Sequence, residues 1–201
     1  MVYTESMTKK TINERTTEYP ILDIFLERYS PRAMSGEIIS KEELMTLFEA
    51  ARWAPSSRNG QLWRFIYAMR DTKEFEIFVS FLNEGNRIWC IKAGVLVVTI
   101  SKKTFDDGKP SITHSFDTGS AWENLALQAT SMDFVAHGMQ GFDYAMAKEK
   151  LGIPDDYNVE MMIAIGKHGK IEDLPEPLRA REKPSDRKPL EEIVFEGKFP
   201  F

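Results

Sequence analysis

The chain has 201 residues, 42 % of them hydrophobic and 28 % charged, and a net charge of -5. That composition fits one globular domain with a real core, and the acidic balance argues against a long polyanion such as nucleic acid as its partner. The single cysteine, Cys90, excludes an intrachain disulfide and Cys-rich zinc patterns.

Residues 1–18 carry mixed charge and no apolar h-region, so they read as a flexible tail or weakly formed arm and not as a signal peptide. Residues 19–201 read as one domain. The longest apolar run, residues 93–100, is too short to cross a bilayer, and the expected location is the cytoplasm.

Pro20 suits the first turn of a helix that carries Ile21, Leu22, Phe25 and Leu26 and stops before Pro31. Ser40-Lys-Glu-Glu43 is a capping box, and Leu44, Leu47, Phe48 and Ala51 form one apolar face behind it. Residues 62–68 are aromatic-rich and predict a strand. Asp71 or Thr72 caps a further helix with Phe75, Phe78, Val79 and Leu82. Residues 94–100 are a β-branched run that predicts a strand buried on both faces. A surface loop follows over 105–115.

A long helix then starts at Asp117 or Thr118, with Gly119, Ala121, Ala126 and Ala129 letting another helix approach closely, as at a dimer interface. Residues 134–140 are a short segment ending at Gly141, residues 142–151 a helix closed by Gly152 and Pro154, and residues 159–166 a second buried strand. Residues 167–189 have charge and proline but no period, hence a loop; residues 190–195 predict a late strand. The class is α+β: one sheet flanked by helices, with a C-terminal arm.

The nucleotide motifs are missing. No GxGxxG follows a strand, and Gly166-Lys-His-Gly-Lys170 lacks P-loop spacing. The three histidines, His114, His137 and His168, have no acidic residue at metal-ligand spacing, so no metal is expected. His114, Ser115 and Asp117 adjoin in sequence, which is not how triad members are arranged.

Two clusters remain. Arg28-Tyr-Ser-Pro-Arg32 puts two guanidiniums and a hydroxyl within five positions, a set suited to phosphate through paired, charge-assisted hydrogen bonds. A second cationic group, Arg179, Arg181, Lys183, Arg187 and Lys188, lies near the end. An acidic chain with two such local clusters suits a small anion. The other cluster, Pro55-Ser-Ser-Arg-Asn-Gly-Gln-Leu-Trp63, joins a helix to a strand with polar groups that neither a ladder nor a core consumes.

These residues resemble the FMN-dependent nitroreductase family. Its Pro-Ser-Ser-x-Asn-x-Gln-Pro-Trp pattern is matched over Pro55, Ser56, Ser57, Asn59, Gln61 and Trp63, with a departure only at Leu62. Asn86-Arg-Ile-Trp89, Asp117-Thr-Gly-Ser-Ala-Trp-Glu-Asn124, Met139-Gln-Gly-Phe-Asp143 and Pro184-Ser-Asp-Arg187 extend the likeness along the chain.

The resemblance implies a central, mainly antiparallel sheet flanked by helices and a C-terminal arm reaching a dimer partner. It implies a homodimer with FMN at the subunit interface and NAD(P)H as co-substrate. Hydride would pass by a ping-pong mechanism to a nitroaromatic, quinone or similar small-molecule acceptor. Other acceptors on the same scaffold (dehalogenation, azoline oxidation, flavin fragmentation) and a non-catalytic flavin-binding module are the alternatives. Chemistry is flavin-mediated, so no side chain need be catalytic.

By the same likeness Arg28, Ser30 and Arg187 serve the phosphate and ribityl chain and Arg32 the pyrimidine edge, with Tyr29 also among the cofactor-binding residues. Pro55, Ser56, Ser57, Asn59 and Gln61 belong to the flavin site shared between subunits, with Asn59 offering amide hydrogen bonds. Gln140 and Gly141 face the flavin N5 edge, and Trp63 and His137 line the substrate pocket.

Overall fold

A computed structural model describes residues 11–200. In chain order it contains a hairpin of β1 (Thr11–Ile12) and β2 (Arg15–Thr16), α1 (Ile24–Glu27), α2 (Lys41–Arg52), β3 (Trp63–Met69), α3 (Lys73–Phe81), α4 (Glu84–Cys90), β4 (Val95–Lys102), α5 (His114–Ser131), β5 (Phe134–Met139), α6 (Tyr144–Lys150), β6 (Tyr157–Lys167) and α7 (Glu176–Arg179). Short 3-10 turns lie at Ser57–Asn59, Ile171–Asp173 and Leu190–Glu192.

Four strands form an antiparallel sheet in the order β3-β4-β6-β5. The two inner strands are the two apolar runs, as burial on both faces requires. Leu96, Val98 and Ile100 of β4 meet Met162 and Ala164 of β6 under α3, α4 and α6, beside Phe75, Phe78, Phe81 and Trp89. Val95 and Val97 face the other way, with Ile163 and Ile165, onto Leu44 and Leu47 of α2 and Leu125 of α5. Each fully buried side chain of this kind contributes about 1.5–3 kcal/mol. The antiparallel α+β architecture flanked by helices is therefore as expected.

The capping box forms. Ser40 Oγ accepts the Glu43 amide at 3.1 Å, and the Glu43 carboxylate accepts the Ser40 amide at 2.8 Å.

Several expectations need correction. The helix behind Pro20 shrinks to α1, because Ile21 and Leu22 are exposed and find no core to dock on. Residues 11–16 form the β1–β2 hairpin and Arg15 is buried; of the expected tail, residues 1–10 lie outside the described residues. The long helix begins at His114, before Asp117. Its small residues Ala121 and Ala129 are spent inside the chain, where α2 and the sheet pack on them, while Gly119 stays open. No strand forms over residues 190–195; a 3-10 turn at Leu190–Glu192 stands there, because a strand needs a neighbour to pair with.

Candidate functional site

After α1 the chain runs extended past Arg28, Tyr29 and Ser30, and residues 33–35 are then laid along the end of β6. The Ser35 amide donates to the Lys167 carbonyl at 3.0 Å, and the Gly169 amide to the Ala33 carbonyl at 2.9 Å. Gly169 has to be glycine, since a Cβ there would lie 2.5 Å from the Met34 carbonyl carbon. The segment is thereby fixed along the end of β6, on the side where β4 begins.

Beside it opens a cavity of about 340 Å³. Six basic side chains line it: Arg15, Arg28, Arg32, Arg181, Lys183 and Arg187. The hydroxyls of Tyr29, Ser30 and Ser185 and the ring of His137 complete the wall. Three stretches remote in sequence thus converge on one cationic cradle.

Arg15 ties the stretches together. Its Nε donates to the Ser185 carbonyl at 2.9 Å, and one terminal nitrogen donates to the Leu26 and Arg28 carbonyls at 2.9 and 2.6 Å. Burial, and then the neighbouring Arg187 and Arg28 guanidiniums, lower its proton affinity. Arg28 is braced from two sides, by Ser30 Oγ at 3.5 Å and by Glu123 of α5 at 3.7 Å. Glu182 accepts the Arg32 and Ala33 amides at 2.5 and 2.7 Å.

His137 is carried by β5 and packs on Trp89, ring centroids 4.7 Å apart. Its Nδ1 lies 2.9 Å from the Pro31 carbonyl, which only accepts, so Nδ1 bears the proton and Nε2 is an acceptor. Burial lowers its pKa below the ordinary histidine value, so the ring is neutral at pH 7 amid the cations. The nearby Cys90 thiol is buried against Met139 sulfur at 3.3 Å, and burial pushes its pKa up; it is a core residue and no nucleophile.

At the end of β5, Gln140 and Gly141 turn under the start of α4. Asn86 Nδ2 and the Asn83 amide both donate to the Gly141 carbonyl, at 3.0 and 3.2 Å. A Cβ on Gly141 would sit 2.6 Å from the side-chain amide nitrogens of both asparagines. We therefore expect Gly141→Ala to cost about 2 kcal/mol through overpacking, a fall in Tm of about 4–8 °C. A calorimetric Tm unchanged within 1 °C or so would contradict the tight approach.

The 55–61 junction lies elsewhere, at the start of α5. The Ser57 amide donates to the Asp117 carboxylate at 3.0 Å and the Gln61 amide to Ser56 Oγ at 3.1 Å. Arg58, Asn59 and Gln61 all hold positive φ (53°, 54° and 47°), a strained backbone of the kind found at functional sites. None of these side chains lines the basic cavity of its own chain.

Trp63, expected in a pocket, is packed into the core instead. Its register opposite Ser101 aims it at the α2 and α5 layer. His114 and Ser115 do meet, but with Ser101 and Glu160, while Asp117 holds Ser57. Ser101 is fully buried, while Ser115 is exposed and its hydroxyl donates to the Glu160 carboxylate at 2.7 Å. Among the described residues no group of three or more His, Cys, Asp or Glu is placed to hold a metal.

The family model for nitroreductases matches residues 25–88 and 70–167. The chain belongs to the nitroreductase family. The protein DrgA of Synechocystis sp. is 29 % identical over 167 residues, which span 68 % of this chain and 77 % of that protein. A solved oxidoreductase containing FMN is 46 % identical with a TM-score of 0.91, covering 94 % of this chain and 98 % of the other. A nitroreductase of Desulfovibrio desulfuricans solved in complex with FMN is 24 % identical with a TM-score of 0.72 over 92 % of this chain and 100 % of the other, and extends the likeness of fold.

Within this nitroreductase-family chain, the cradle gathers Arg28, Tyr29, Ser30, Arg32 and Arg187 from the expected cofactor set, together with His137, which was expected in the substrate pocket. Gln140 and Gly141 stand at the far end of β5, and the 55–61 junction remains apart. Arg15 and Glu182 were not expected there, and Arg181 and Lys183 were read only as members of the late cationic cluster. The density of basic residues over 179–188 was the one available signal; nothing local marks Arg15 or Glu182.

Proposed function

We propose that this chain is an FMN-dependent oxidoreductase acting as a homodimer, with the cofactor at the subunit interface. One observation carries the reading: six basic side chains, three hydroxyls and a neutral histidine converge on one cavity in a chain of the nitroreductase family. A phosphate monoester brings about two negative charges near neutral pH, and forked guanidiniums suit its oxygens. The donor set therefore fits the phosphate end of FMN.

Arg28, Ser30 and Arg187 would hold the phosphate and ribityl hydroxyls, with Tyr29 at the wall. From His137 to Gln140 the chain advances about 10 Å along the sheet edge, enough to separate the phosphate end from the Gln140–Gly141 turn at the flavin N5 edge. Arg32 would serve the pyrimidine edge. When bound, FMN supplies the redox centre, accepting hydride from NAD(P)H and delivering it to a nitroaromatic, quinone or similar acceptor in alternating half-reactions.

Pro55, Ser56, Ser57, Asn59 and Gln61 would serve the flavin of the other subunit. Large exposed apolar side chains flank this junction, with Trp53, Phe116 and Ile112 at 73, 77 and 97 % exposure. Surface of that kind marks an interaction face. Exposed Ile193, Val194, Phe195 and Phe199 support a C-terminal arm that reaches the partner. No nucleic acid or membrane enters the scheme; among the described residues no helix is long and apolar enough to cross a bilayer. A free, buried Cys90 suits the cytoplasm.

The visible spectrum of the purified protein, before and after anaerobic NAD(P)H, tests this. An oxidised flavin spectrum that bleaches is expected. A colourless protein that takes up no added FMN would overturn the reading, and a flavin that NAD(P)H leaves oxidised would overturn the hydride half-reaction.

A further inference from the structure

Glu182 is a carboxylate built into the wall of an anion site. Its side chain is only 2 % exposed and lies 3.8 Å from the Arg32 guanidinium, one of the cradle cations. A negative charge there opposes phosphate binding, so electrostatics alone gives no reason for its presence. The hydrogen bonds do. One oxygen accepts two consecutive backbone amides, Arg32 at 2.5 Å and Ala33 at 2.7 Å, across about 150 residues of chain. The other oxygen has no hydrogen-bond partner and faces Arg32.

The return segment explains the arrangement. Arg181, Lys183, Ser185 and Arg187 all line the cavity. Arg181 and Glu182 belong to the turn that closes α7, their amides donating to the Leu178 and Arg179 carbonyls at 3.0 and 3.1 Å. The Glu182 side chain leaves that turn toward the 32–33 backbone. Fastened there, the turn and the segment after it present three cations to the cavity.

We propose that Glu182 is the positioning residue of the phosphate cradle. It touches no ligand; through the Arg32 and Ala33 main-chain amides it fastens the 181–187 segment, with its inward cations, to the Arg28–Arg32 segment. This rests on the FMN reading above. It predicts a selective effect, on the phosphate end of the cofactor and not on the isoalloxazine end.

The test uses the full chain, freed of flavin by dialysis, and titrates it with FMN and with riboflavin, which lacks the phosphate. Glu182→Ala is expected to weaken FMN by about 10- to 100-fold, the scale of losing charge-assisted hydrogen bonds, and riboflavin by no more than about threefold. Glu182→Gln keeps an acceptor for the two amides and removes the charge, so FMN should bind within about threefold of wild type or more tightly.

FMN bound by Glu182→Ala as tightly as by wild type, or more tightly, would mean that the charge matters and the fastening does not, and would overturn the proposal. Equal losses of FMN and riboflavin would also overturn it. If Glu182→Ala does not fold, Glu182→Asp decides, since it keeps the charge but falls one methylene short. Selective loss of FMN there supports the proposal, and unchanged FMN binding refutes it. A wild type that binds neither flavin sinks the cofactor reading itself, and this inference with it.

Discussion

Arg28→Ala is expected to release FMN, weakening it by about 30- to 150-fold, the equivalent of about 2–3 kcal/mol for a charge-assisted pair. Arg28 is the best-prepared cation of the cradle. Its side chain is 15 % exposed and braced by Ser30 Oγ and by Glu123, so little conformational freedom is lost when an anion arrives. Arg187 makes a useful contrast. It is exposed, and among the described residues its terminal nitrogen donates only to Ser185 and Asp186 of its own loop, at 3.1–3.4 Å. Ordering that side chain on binding offsets part of its gain, so Arg187→Ala should cost only about 3- to 10-fold.

Arg28→Lys keeps a charge without the fork and should fall between wild type and alanine. The fold should survive Arg28→Ala, because Glu123, left without its partner, is 47 % exposed and solvated. The flavin-to-protein ratio after gel filtration, with a dissociation constant from fluorescence, checks the series. Full occupancy in Arg28→Ala would remove this residue from the phosphate site.

What was legible in the sequence is what is written locally. The two inner strands stand out because burial on both faces leaves unbroken apolar runs, and α2 because Ser40 and Glu43 spell its cap. The helix α4 was not legible. Its seven residues include Gly85 and bury only Trp89 and Cys90, so no period repeats; the Asn83 cap and the docking of Trp89 make it helical. The late strand over 190–195 failed for the reverse reason, since apolar residues were present but no neighbouring strand within the chain offers them a ladder.

The site divides in the same way. Arg28, Ser30 and Arg32 were visible from density alone, and Arg187 through family likeness. Arg15 and Glu182 act on groups up to 170 and 150 residues away, and no local pattern encodes such contacts. Trp63 was misassigned because an aromatic beside a polar turn fits a pocket wall as well as a core strand; only the register opposite Ser101 decides.

Arg15→Ala is the strongest test of that long-range assembly. The side chain is buried to 6 % exposure and gives three hydrogen bonds to main-chain carbonyls, those of Leu26, Arg28 and Ser185. Truncation leaves those carbonyls short of a donor and opens a void where the hairpin, the 26–28 segment and the 185 loop meet. Two effects compete. Removing a cation from between Arg28 and Arg187 relieves like-charge repulsion, which is screened wherever the cradle opens to solvent. Losing a buried, charged donor with several acceptors costs more, about 3 kcal/mol, so the hydrogen bonds should win.

The expected result is a Tm lower by about 6–12 °C for a domain of this size, with FMN affinity falling in the same variant as Arg28 and Ser185 come loose from each other. Arg15→Lys should recover only part of the loss, since one ammonium cannot span three carbonyls in the planar fork of a guanidinium. A variant as stable as wild type, or stabilised at low salt, would mean that repulsion dominates and that the hairpin is not what holds the cradle.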